Sequence, residues 1–537
     1  MPQHHFIRPF RRILVTVLLL GAVFAASAAR AQESRFDVLE FEIEGNTVLP
    51  ALAIERAVYP FLGPGKTIDD VQGARAALEK AYQDAGYLTV VVDVPPQQVK
   101  GGKVVLAVTE ATVEKLAVAG NRYRSRDAIR ERFPSLAPGA VPYFPDAQKE
   151  LAAFNRVPGR SATPVLKPGT QKGTVGMELK IQEDKPFAGS IELNNRQAIN
   201  TEPLRLSGTL KYNNLWGRDH SASLLYLTSP EDTTQVRALS GNYILRLPDS
   251  GQIFAFYAVR SRSTVATLGS STVVGNGNIY GFRGILPLPG DEVFSHNLVY
   301  GADYKESFQG VGIDPTSRIE GTLTYLPFTA QYGMAKTGLK GTTRASIQTS
   351  FLTRSALLGN RDDEFARRRF RATANYAVLR AEVSRQQTLP KNFTAFLKLT
   401  AHTSSQPLVN TEQFIAAGAD GVRGYYEAEV VGDDGWMATA ELRSPSLIDA
   451  GEGAGARELI AVGFVDAANV RLKRPLPGET SQKSPWSVGL GLRFRAQSSL
   501  SATLEVGLPM EDVRRSTSDP GTEKRDPRLH LRVAYDF

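Results

Sequence analysis

The sequence predicts a membrane β-barrel of about 16 antiparallel strands, preceded by two small α+β modules. Three observations lead to this fold class. Two segments near the N terminus repeat one order of strands and helices, and the last 353 residues alternate apolar and polar side chains. No stretch of about 18 apolar residues offers a helical membrane span. A chain of 537 residues is also too long for one ordinary domain.

Residues 1–31 have the pattern of a secretion signal. They begin with a basic stretch, continue with an apolar run from Ile13 to Phe24 and end in a small-residue cleavage pattern at 29–31. The formal charge of the whole chain is +8, and removal of this segment leaves only +4. A nucleic-acid partner therefore loses most of its electrostatic support. We predict an exported protein that has no nucleic-acid partner.

The chain contains no cysteine, which excludes disulfide scaffolds, thiolate metal sites and cysteine nucleophiles. Two of the six histidines lie in the signal segment, and the others stand singly in the sequence. These single histidines are His220, His296, His402 and His530. We therefore expect no catalytic residue, no metal site and no cofactor, and hence no enzyme.

Two charged groups are interpreted as surface features. The acidic residues Glu427, Glu429, Asp433 and Asp434 lack the spacing of a calcium loop and are expected to form a solvated strand end. The basic run 367–369 is expected to be a solvated or lipopolysaccharide-facing strand end, with a position in the lumen as the alternative.

Residues 32–110 form the first predicted module, in the order β-α-α-β-β. Apolar residues at helical spacing mark the second helix, and Gly86 ends it as a C-cap glycine. A turn at Gly45-Asn46 separates the first strand from the first helix. The predicted elements are the strand Phe36–Ile43, the helices Leu52–Tyr59 and Asp69–Ala85, and the strands Tyr87–Val94 and Lys103–Thr109.

Residues 111–184 repeat this pattern, with Gly120-Asn121 in the place of Gly45-Asn46. The predicted elements are the strand Val113–Val118, the helices Arg126–Phe133 and Asp146–Asn155, and the closing strand Val175–Ile181. The first module holds 7 basic and 12 acidic side chains, and the second holds 12 and 8. The pair is therefore polarised, with net charges of −5 and +4.

Residues 185–537 are predicted to form the barrel. In the segment 486–495, for example, large apolar residues share one face and Ser, Gly and Arg share the other. A soluble β-sandwich would also alternate, but several opposing faces carry charges that suit a wet lumen. These charges are Arg246, Lys398, Arg493, Glu505 and Arg532. At roughly 22 residues per strand and connection, the segment accommodates about 16 membrane-spanning strands.

Specific motifs make the family recognisable. The N-terminal modules resemble POTRA domains in their β-α-α-β-β order, their Gly-Asn turns and the Ala-Gly-Tyr at 85–87. The segment 413–425 resembles the lid-loop motif of POTRA-barrel transporters, and 464–466 resembles the barrel-wall motif that follows it. The lid-loop motif consists of Gly421, Val422, Arg423, Gly424 and Tyr425, and the wall motif contains Phe464 and Asp466. Segments 212–220 and 227–230 match the early barrel of the two-partner secretion branch.

The chain thus resembles the two-partner secretion transporters (TpsB, ShlB/FhaC/HecB type) of the POTRA-barrel superfamily. The resemblance implies an outer-membrane translocator that recognises an unfolded exoprotein, such as an adhesin or cytolysin, through periplasmic POTRA domains and secretes it through the barrel. It also implies a lid loop around residues 413–432 that folds inward, and an outer-membrane assembly signal at Tyr535 and Phe537. The implied partners are that exoprotein, the barrel assembly machinery and outer-membrane lipid.

The chemistry of the lid motif supports an ion pair. A guanidinium folded into a barrel needs a fixed carboxylate, because an unpaired desolvated charge is costly. Arg423 is therefore expected to pair with Asp466. Two departures from the family pattern, Ala468 and Ala416-Ala417 in place of glycines, leave both charged partners in place.

Two other functions remain as alternatives. An assembly factor that inserts other barrels would usually carry three or more POTRA modules, whereas the sequence predicts two. A passive porin would leave the modules and the Arg423 motif unexplained. Because few residues precede the first predicted strand, we also expect no pore-plugging N-terminal helix, and hence a lumen closed by the lid loop alone or left partly open.

Overall fold

The computed structural model describes residues 35–247, 250–262, 265–268, 271–274, 276–308, 321–353, 358–448, 456–496, 499–513 and 521–537. The predicted signal segment 1–31 lies outside these residues and stays a prediction. Contacts divide the chain into two compact units, Met1–Asp184 and Lys185–Phe537. Among the described residues no helix is both long and apolar enough to cross a membrane.

The first module contains a three-stranded sheet, a separate hairpin and two helices. Its elements are β1 (Phe36–Val38), β2 (Glu40–Glu44), α1 (Ala51–Val58), β3 (Gly63–Lys66), α2 (Ile68–Asp84), β4 (Val90–Asp93) and β5 (Lys103–Glu110), with a short 3-10 turn at Tyr59–Phe61. The sheet order is β2-β5-β4, with β2 parallel and β4 antiparallel to β5, and β1 pairs only with β3.

Two details of this module differ from the sequence prediction. The expected first strand is divided into β1 and β2, because the N–H of Leu39 leaves the strand pattern and donates to the carbonyl of Gly102 at 2.7 Å. Strand β3 was not predicted, since its sequence of glycine, proline and lysine has no apolar alternation. The order β-α-α-β-β therefore holds for the main sheet and its helices, with an added hairpin.

Helix α2 supplies the core of the first module. Its apolar stripe is buried as predicted, at Val71, Ala74, Leu78 and Tyr82. A capping box begins the helix: Thr67 accepts from the N–H of Asp70, and the Asp70 carboxylate accepts from the N–H of Thr67 at 2.8 Å. Gly86 follows the helix with a φ of +100°, a conformation that favours glycine.

The second module repeats the main sheet. Its elements are β6 (Thr112–Ala119), α3 (Arg126–Arg130), α4 (Phe144–Asn155), β7 (Arg160–Pro168) and β8 (Thr174–Glu183), with a 3-10 turn at Pro134–Leu136. The order is β6-β8-β7, and β6 runs parallel to β8. Helix α3 ends at Arg130 rather than at the predicted Phe133, because Pro134 disfavours the helical conformation of the residue before it.

The Gly-Asn turns of the two modules have the same construction. Gly45 and Gly120 both have a φ of +83°, and a Cβ at either would strike the carbonyl oxygen of Val108 or Ile181 in the neighbouring strand. The carboxylate at the end of that strand then accepts N–H groups of the turn. Glu110 accepts from Thr47 and Val48 at 2.8 and 3.1 Å, and Glu183 accepts from Arg122 and Tyr123, both at 2.7 Å.

These contacts shift the pKa of both carboxyl groups. Burial raises the pKa of Glu110, but the hydrogen bonds from Thr47 and Val48 outweigh it and leave the pKa below the ordinary value of 4.5. The pKa of Glu183 is likewise raised by burial and lowered, to below its ordinary value, by the hydrogen bonds of Tyr123, Arg124 and Arg122. Each ionised carboxylate therefore stabilises its own module.

The two modules contact each other where α2 ends. The N–H of Phe144 donates to the carbonyl of Gly86 at 3.1 Å, and the rings of Tyr87 and Tyr143 lie 5.3 Å apart. A Cβ at Gly86 would strike Pro145. The Ala-Gly-Tyr sequence thus contributes to the junction between the modules, which adds to its role at the helix end.

Within 187–537, the described residues form a closed barrel of 16 long antiparallel strands, which confirms the prediction of about 16. The strands and intervening elements are β9 (Phe187–Asn194), β10 (Arg205–Leu215), β11 (His220–Thr228), β12 (Arg237–Arg246), β13 (Ile253–Arg262), the hairpin β14 (Val265–Leu268) and β15 (Ser271–Val274), β16 (Gly277–Leu288), β17 (Phe294–Ser307), β18 (Leu323–Tyr325), β19 (Phe328–Gly338), β20 (Gly341–Leu352), α5 (Asp362–Ala366), β21 (Tyr376–Thr388), β22 (Thr394–Ser404), β23 (Phe414–Ile415), β24 (Val431–Gly432), β25 (Asp434–Arg443), β26 (Arg457–Arg471), β27 (Gln482–Lys483), β28 (Trp486–Ala496), β29 (Leu500–Pro509) and β30 (Arg528–Asp536), with 3-10 turns at Pro390–Asn392 and Asn410–Glu412.

Short strands β18 and β27 extend the barrel beside β17 and β26, and β30 pairs with β9 to close it. Alternation places large apolar side chains on the outside. Leu490 and Leu492 are exposed there, whereas Glu441 and Glu505 point inward and are buried. A polar interior inside an apolar outer surface is the arrangement of a membrane barrel.

Candidate functional site

The connection between β22 and β25 folds into the barrel, and we call residues 405–433 the lid loop. Its two ends pair as the hairpin β23–β24, and the N–H of Ala416 donates to the carbonyl of Val430 at 2.9 Å. The segment between them carries Arg423, whose surface is only 4% exposed. The inward-folded loop predicted around 413–432 lies within this segment.

Arg423 binds three carboxylates of the barrel wall. Its Nε and Nη2 donate to the two oxygens of Asp466 at 2.7 and 2.9 Å. Its Nη1 donates to Glu441 at 2.8 Å and to Glu505 at 3.1 Å. Asp466 also accepts the backbone N–H of Arg423 at 3.2 Å. The structure thus brings the two predicted residues together as a bidentate pair and adds two further carboxylates.

Two more arginines balance the charge of this cluster. Arg493 bonds Glu441 and Glu505 with distances of 2.8 Å to each carboxylate, and Arg443 bonds Glu441 at 2.6 Å. Three guanidinium groups thus face three carboxylates. Since a buried charge without a partner costs several kcal/mol, the matched set fixes the lid loop in one position. We call these six residues the lid anchor: Arg423, Arg443, Arg493, Glu441, Asp466 and Glu505.

The barrel wall beside the lid anchor contains two glycines and an aromatic ring that allow close contact with Arg423. The Cζ atom of Arg423 lies 3.4 Å from the centre of the Phe464 ring, and a Cβ at Gly489 would strike that ring and the carbonyl oxygen of Val506. A Cβ at Gly507 would strike the backbone of Arg423 and Gly424. Both glycines therefore permit a close approach that any other residue would prevent. Phe464 contributes a cation–π contact in addition to its packing.

The other residues of the motif hold the loop's backbone. Gly424 has a φ of +97°, and its N–H donates to Nε2 of His530 at 2.8 Å. The hydroxyl of Tyr425 lies 3.1 Å from the carbonyl oxygens of both Trp486 and Glu511. Val422 is fully buried and its N–H donates to the carbonyl of Ala416, where a Cβ at Gly421 would collide.

Alanines pack the lid loop against the wall. Ala416, Ala417 and Ala468 are 0–3% exposed and belong to one apolar cluster with Phe414 and Tyr425. These are the positions at which the sequence departs from the family's glycines. The extra methyl groups lie inside the packed interface, so the departures are compatible with the inward fold.

The loop is held at further points. Glu412 accepts from Lys305 at 2.6 Å and from the hydroxyl of Tyr325 at 2.7 Å, on the wall formed by β17 and β18. Asp420 forms a bidentate pair with Arg196 at 2.5 and 3.0 Å, just beyond β9. The lid loop therefore spans the lumen, with ionic contacts on different walls.

The prediction of a solvated acidic strand end is wrong for two of its members. Asp433 is completely buried and accepts from the N–H groups of Leu408 and Lys473 at 2.9 and 2.7 Å. Glu427 is 8% exposed and accepts the N–H of Ala419 at 2.9 Å. Leu408 and Ala419 belong to the lid loop, and Lys473 belongs to the connection after β26. Spacing along one strand does not reveal such donors.

The basic run 367–369 directly follows α5 rather than forming a strand end, so that interpretation is corrected as well. Arg367 is exposed, but Arg369 has a side chain that is only 10% exposed and forms an ion pair with Glu479 at 3.3 Å. Arg369 thereby connects the segment after α5 with the connection that follows β26.

The predicted assembly residues lie at the barrel seam. Phe537 and Gly189 exchange two backbone hydrogen bonds of 2.9 Å, and a Cβ at Gly189 would strike the Phe537 ring. Tyr535 is opposite Ile191 in the pairing of β30 with β9, and its ring stacks on Phe537. Both aromatic side chains are about half exposed on the outside.

Sequence reasoning missed several members of the site. Arg493 and Glu505 were expected only as charges that face a wet lumen and His530 only as a single histidine, and Glu441 was assigned no role. One signal was available: Glu441, Arg493 and Glu505 occupy inward positions on three strands near the C terminus, where a group of opposite charges indicates a common interior contact. The glycines at 489 and 507 carried no comparable signal.

Comparison with known proteins agrees with this geometry. The sequence model of the "POTRA domain, ShlB-type" matches residues 36–111, and that of the "Haemolysin secretion/activation protein ShlB/FhaC/HecB" matches residues 303–494. The second match includes the lid loop and β26. The heme/hemopexin transporter protein HuxB of Haemophilus influenzae (strain 86-028NP) is 21% identical over 433 residues, which cover 78% of this chain and 74% of that protein.

Solved structures share the fold. CdiB from Escherichia coli aligns with a TM-score of 0.64 and 17% identity, covering 100% of both chains. BamA from Haemophilus ducreyi lacking POTRA domains 1–3 aligns with a TM-score of 0.54 and 12% identity, covering 94% of this chain and 100% of that one. The match to a ShlB-type POTRA domain, the closed 16-strand barrel and the ShlB/FhaC/HecB match that includes the lid loop agree with one another. Together with the similarity to HuxB and CdiB, they support a two-partner secretion transporter of the outer membrane.

Proposed function

We propose that this transporter secretes one unfolded exoprotein through its barrel, and that the lid loop controls the passage. The observation that carries the proposal is the lid anchor: Arg423 is buried among three wall carboxylates inside a closed barrel. Such a matched set holds the lid loop across the lumen at rest. A polypeptide passing through the lumen has to displace it.

The second module, residues 111–184, is proposed to be a second POTRA domain, so that signal, two POTRA domains and barrel span 1–31, 32–110, 111–184 and 185–537. Its support is the shared sheet order and the identical turn built on Gly120 and Glu183. Both modules would lie in the periplasm. An extended client segment can add to an exposed sheet edge through backbone hydrogen bonds, which gives affinity without demanding one sequence.

A polar lumen lets the client pass without exposing its backbone to lipid. Folding of the exoprotein outside the cell would make transfer irreversible, so a nucleotide is unnecessary. Outer-membrane lipid surrounds the apolar outer face, and the barrel assembly machinery would insert the protein by recognising its final strand with Tyr535 and Phe537. The client, which could be an adhesin or a cytolysin, is sought first among large secreted proteins encoded beside this gene.

A secretion assay in a Gram-negative host, which can insert the barrel into its outer membrane, tests this function. The transporter and the neighbouring exoprotein are produced together, and exoprotein at the cell surface is compared with that obtained from Arg423→Ala at equal levels of inserted barrel. Export by the unaltered chain and its loss in the variant are expected. The alternative of a barrel assembly factor predicts instead that removing the transporter lowers unrelated outer-membrane barrels and leaves the exoprotein's export unchanged.

A further inference from the structure

A cavity of about 440 Å³ lies between the lid loop and the wall formed by β17 and β19–β22. It is separate from the lid anchor, whose members do not line it. Arg380 on β21 and His402 on β22 line this cavity from directly opposite positions in the strand pairing. Both face the ring of Phe414: the His402 ring stacks on it at 5.3 Å, and the Arg380 guanidinium lies 5.7 Å from its centre.

His402 is 5% exposed, and among the described residues neither of its ring nitrogens has a hydrogen-bond partner. A buried polar group left without a partner destabilises the fold. Packing cannot be the full reason for this residue, because a phenylalanine would stack on Phe414 equally well. The ring edge of His402 is therefore available to a polar group that enters the cavity.

The other cations of the cavity are already paired with carboxylates. Arg283 bonds Asp303 at 2.8 Å, Lys305 bonds Glu412 at 2.6 Å and Lys398 bonds Glu382 at 3.1 Å. Asp420 is bound by Arg196, and Glu427 accepts the N–H of Ala419. Within the described part of the chain, Arg380 is the cation of this cavity with neither a carboxylate within ion-pair distance nor a hydrogen bond.

We propose that Arg380 and His402 form a binding site for an oxyanion, either a carboxylate or a phosphate. The guanidinium offers a planar set of donors that fits two oxygens of such a group. One ring N–H of His402 can donate to the same group, since the two side chains are neighbours across the strand pair. Water could satisfy a single donor, but it would leave the charge of Arg380 unmatched.

An acidic side chain of the exoprotein is the natural source of a carboxylate in this lumen, and that assignment rests on the proposed function. The site lies between Phe414 on strand β23 of the lid loop and the wall strands β21 and β22. A bound carboxylate would therefore contact the loop and the wall together. Inorganic phosphate is the other source of the same chemistry. The binding site itself can be tested in the absence of any client.

The test uses the full-length protein in detergent micelles and three probes. N-acetyl-glutamate amide carries one carboxylate, N-acetyl-glutamine amide is its neutral match, and inorganic phosphate is the second anion. Binding is followed by saturation-transfer NMR for the amides and by phosphorus line broadening for phosphate, at constant ionic strength. We expect saturable binding of the glutamate probe, of phosphate or of both, and none of the glutamine probe.

Arg380→Gln should weaken this binding by about tenfold or more, the loss expected for a charge-assisted hydrogen bond. His402→Phe keeps the stacking and should weaken it by a smaller factor. Arg246→Gln is the matched control, because it removes a lumenal charge that is bound elsewhere, to the carbonyl of Asp219 and the hydroxyl of Ser221. Barrel folding of each variant is checked by its heat-modifiable mobility on a gel.

A glutamate probe that binds more tightly than phosphate assigns the site to a client side chain, and the reverse order assigns it to a free anion. Binding that is unchanged in Arg380→Gln, or equal for the glutamate and glutamine probes, overturns the proposal, as does an absence of saturable binding to the unaltered protein. Because no exoprotein is present, such a failure would leave the secretion function untouched.

Discussion

Phe464 and Asp466, two residues apart on β26, both contact Arg423. The centre of the Phe464 ring lies 3.4 Å from the guanidinium carbon, and Asp466 accepts two hydrogen bonds from the guanidinium group. Residues two apart on a strand face the same side. The spacing Phe-x-Asp therefore places an aromatic surface and a carboxylate around one arginine. The remaining donors of that arginine are directed to Glu441 and Glu505.

Arg423→Ala should strongly reduce secretion per inserted barrel without preventing insertion, because the barrel's hydrogen-bond ladder does not use this side chain. Breaking a fully buried pair costs about 3–5 kcal/mol, and less where lumen water screens it. Asp466→Ala should act in the same direction but less severely, since Arg423 keeps Glu441 and Glu505. The measurement is surface exoprotein divided by barrel level, with the exposed Arg495→Ala as control.

The double variant decides whether the two residues act together. Coupled residues give a double variant little worse than Arg423→Ala alone, whereas simple addition of the two effects would rule the pairing out. A charge swap, Arg423→Asp with Asp466→Arg, is not expected to restore secretion. The new aspartate would face the carboxylates of Glu441 and Glu505.

Gly489→Ala and Gly507→Ala should loosen the lid loop although neither carries a charge. A Cβ at these positions collides with Phe464 or with the loop backbone, so the loop has to move outward. Faster protease cleavage within 413–432 and a larger resting conductance are expected. Gly208→Ala and Gly241→Ala are matched controls, because a Cβ there meets nothing within 4 Å. Equal behaviour of all four variants would contradict the close-packing argument.

The N-terminal modules should lose stability in acid. The pKa of Glu110 is below its ordinary value in the folded module, so its stabilising effect is present above about pH 4.5 and is lost as the pH falls through the folded pKa. Glu110→Gln should lower the urea midpoint of residues 32–184 at pH 7 and flatten its acid dependence. Glu55→Gln, at an exposed position on α1, should leave both unchanged.

Deletion of Phe537 should lower the amount of barrel in the outer membrane while the N-terminal modules stay folded. The residue closes the seam through two backbone bonds to Gly189 and covers it with its ring. Phe537→Tyr, which keeps the aromatic ring, should retain most of the insertion. Normal barrel levels after the deletion would exclude a role of this residue in assembly.

Client binding to residues 32–184 should weaken as salt rises. The first module carries a net charge of −5 and the second +4, so a client segment that spans both is held partly by charge. Affinity is measured by fluorescence anisotropy with a labelled N-terminal client fragment. An affinity that stays the same from low to high salt would show that charge makes no contribution.

Much of the fold was predictable because it depends on local periodicity. The apolar stripe of α2 and the apolar–polar alternation of strands such as β28 can each be recognised within one short segment of sequence. The hairpin β1–β3 was not predictable in this way. Its strands are short, and Gly63-Pro64-Gly65 in β3 is held by pairing to a distant segment rather than by its own propensity.

Within the lid anchor, only the residues that belong to recognisable sequence motifs were predictable. The pair of Arg423 and Asp466 followed from two recognisable sequences, and the structure joins them. Glu505 lies 82 residues from Arg423, and it reaches the guanidinium only through the register of β28 with β29 and the depth of the lid loop. Alternation assigns Glu505 to the inner face but does not give its height along the barrel axis, and that height determines its contact with Arg423.

Barrel closure and the lid loop depend on each other mechanically. At the barrel seam, β30 and β9 have five paired positions, whereas β9 and β10 have eight. The lid loop is fastened on both sides of that seam, to His530 on β30 and to Arg196 beyond β9. The lid loop therefore connects the first and last strands across the shorter pairing. An exoprotein that displaces the loop also removes this connection between β9 and β30.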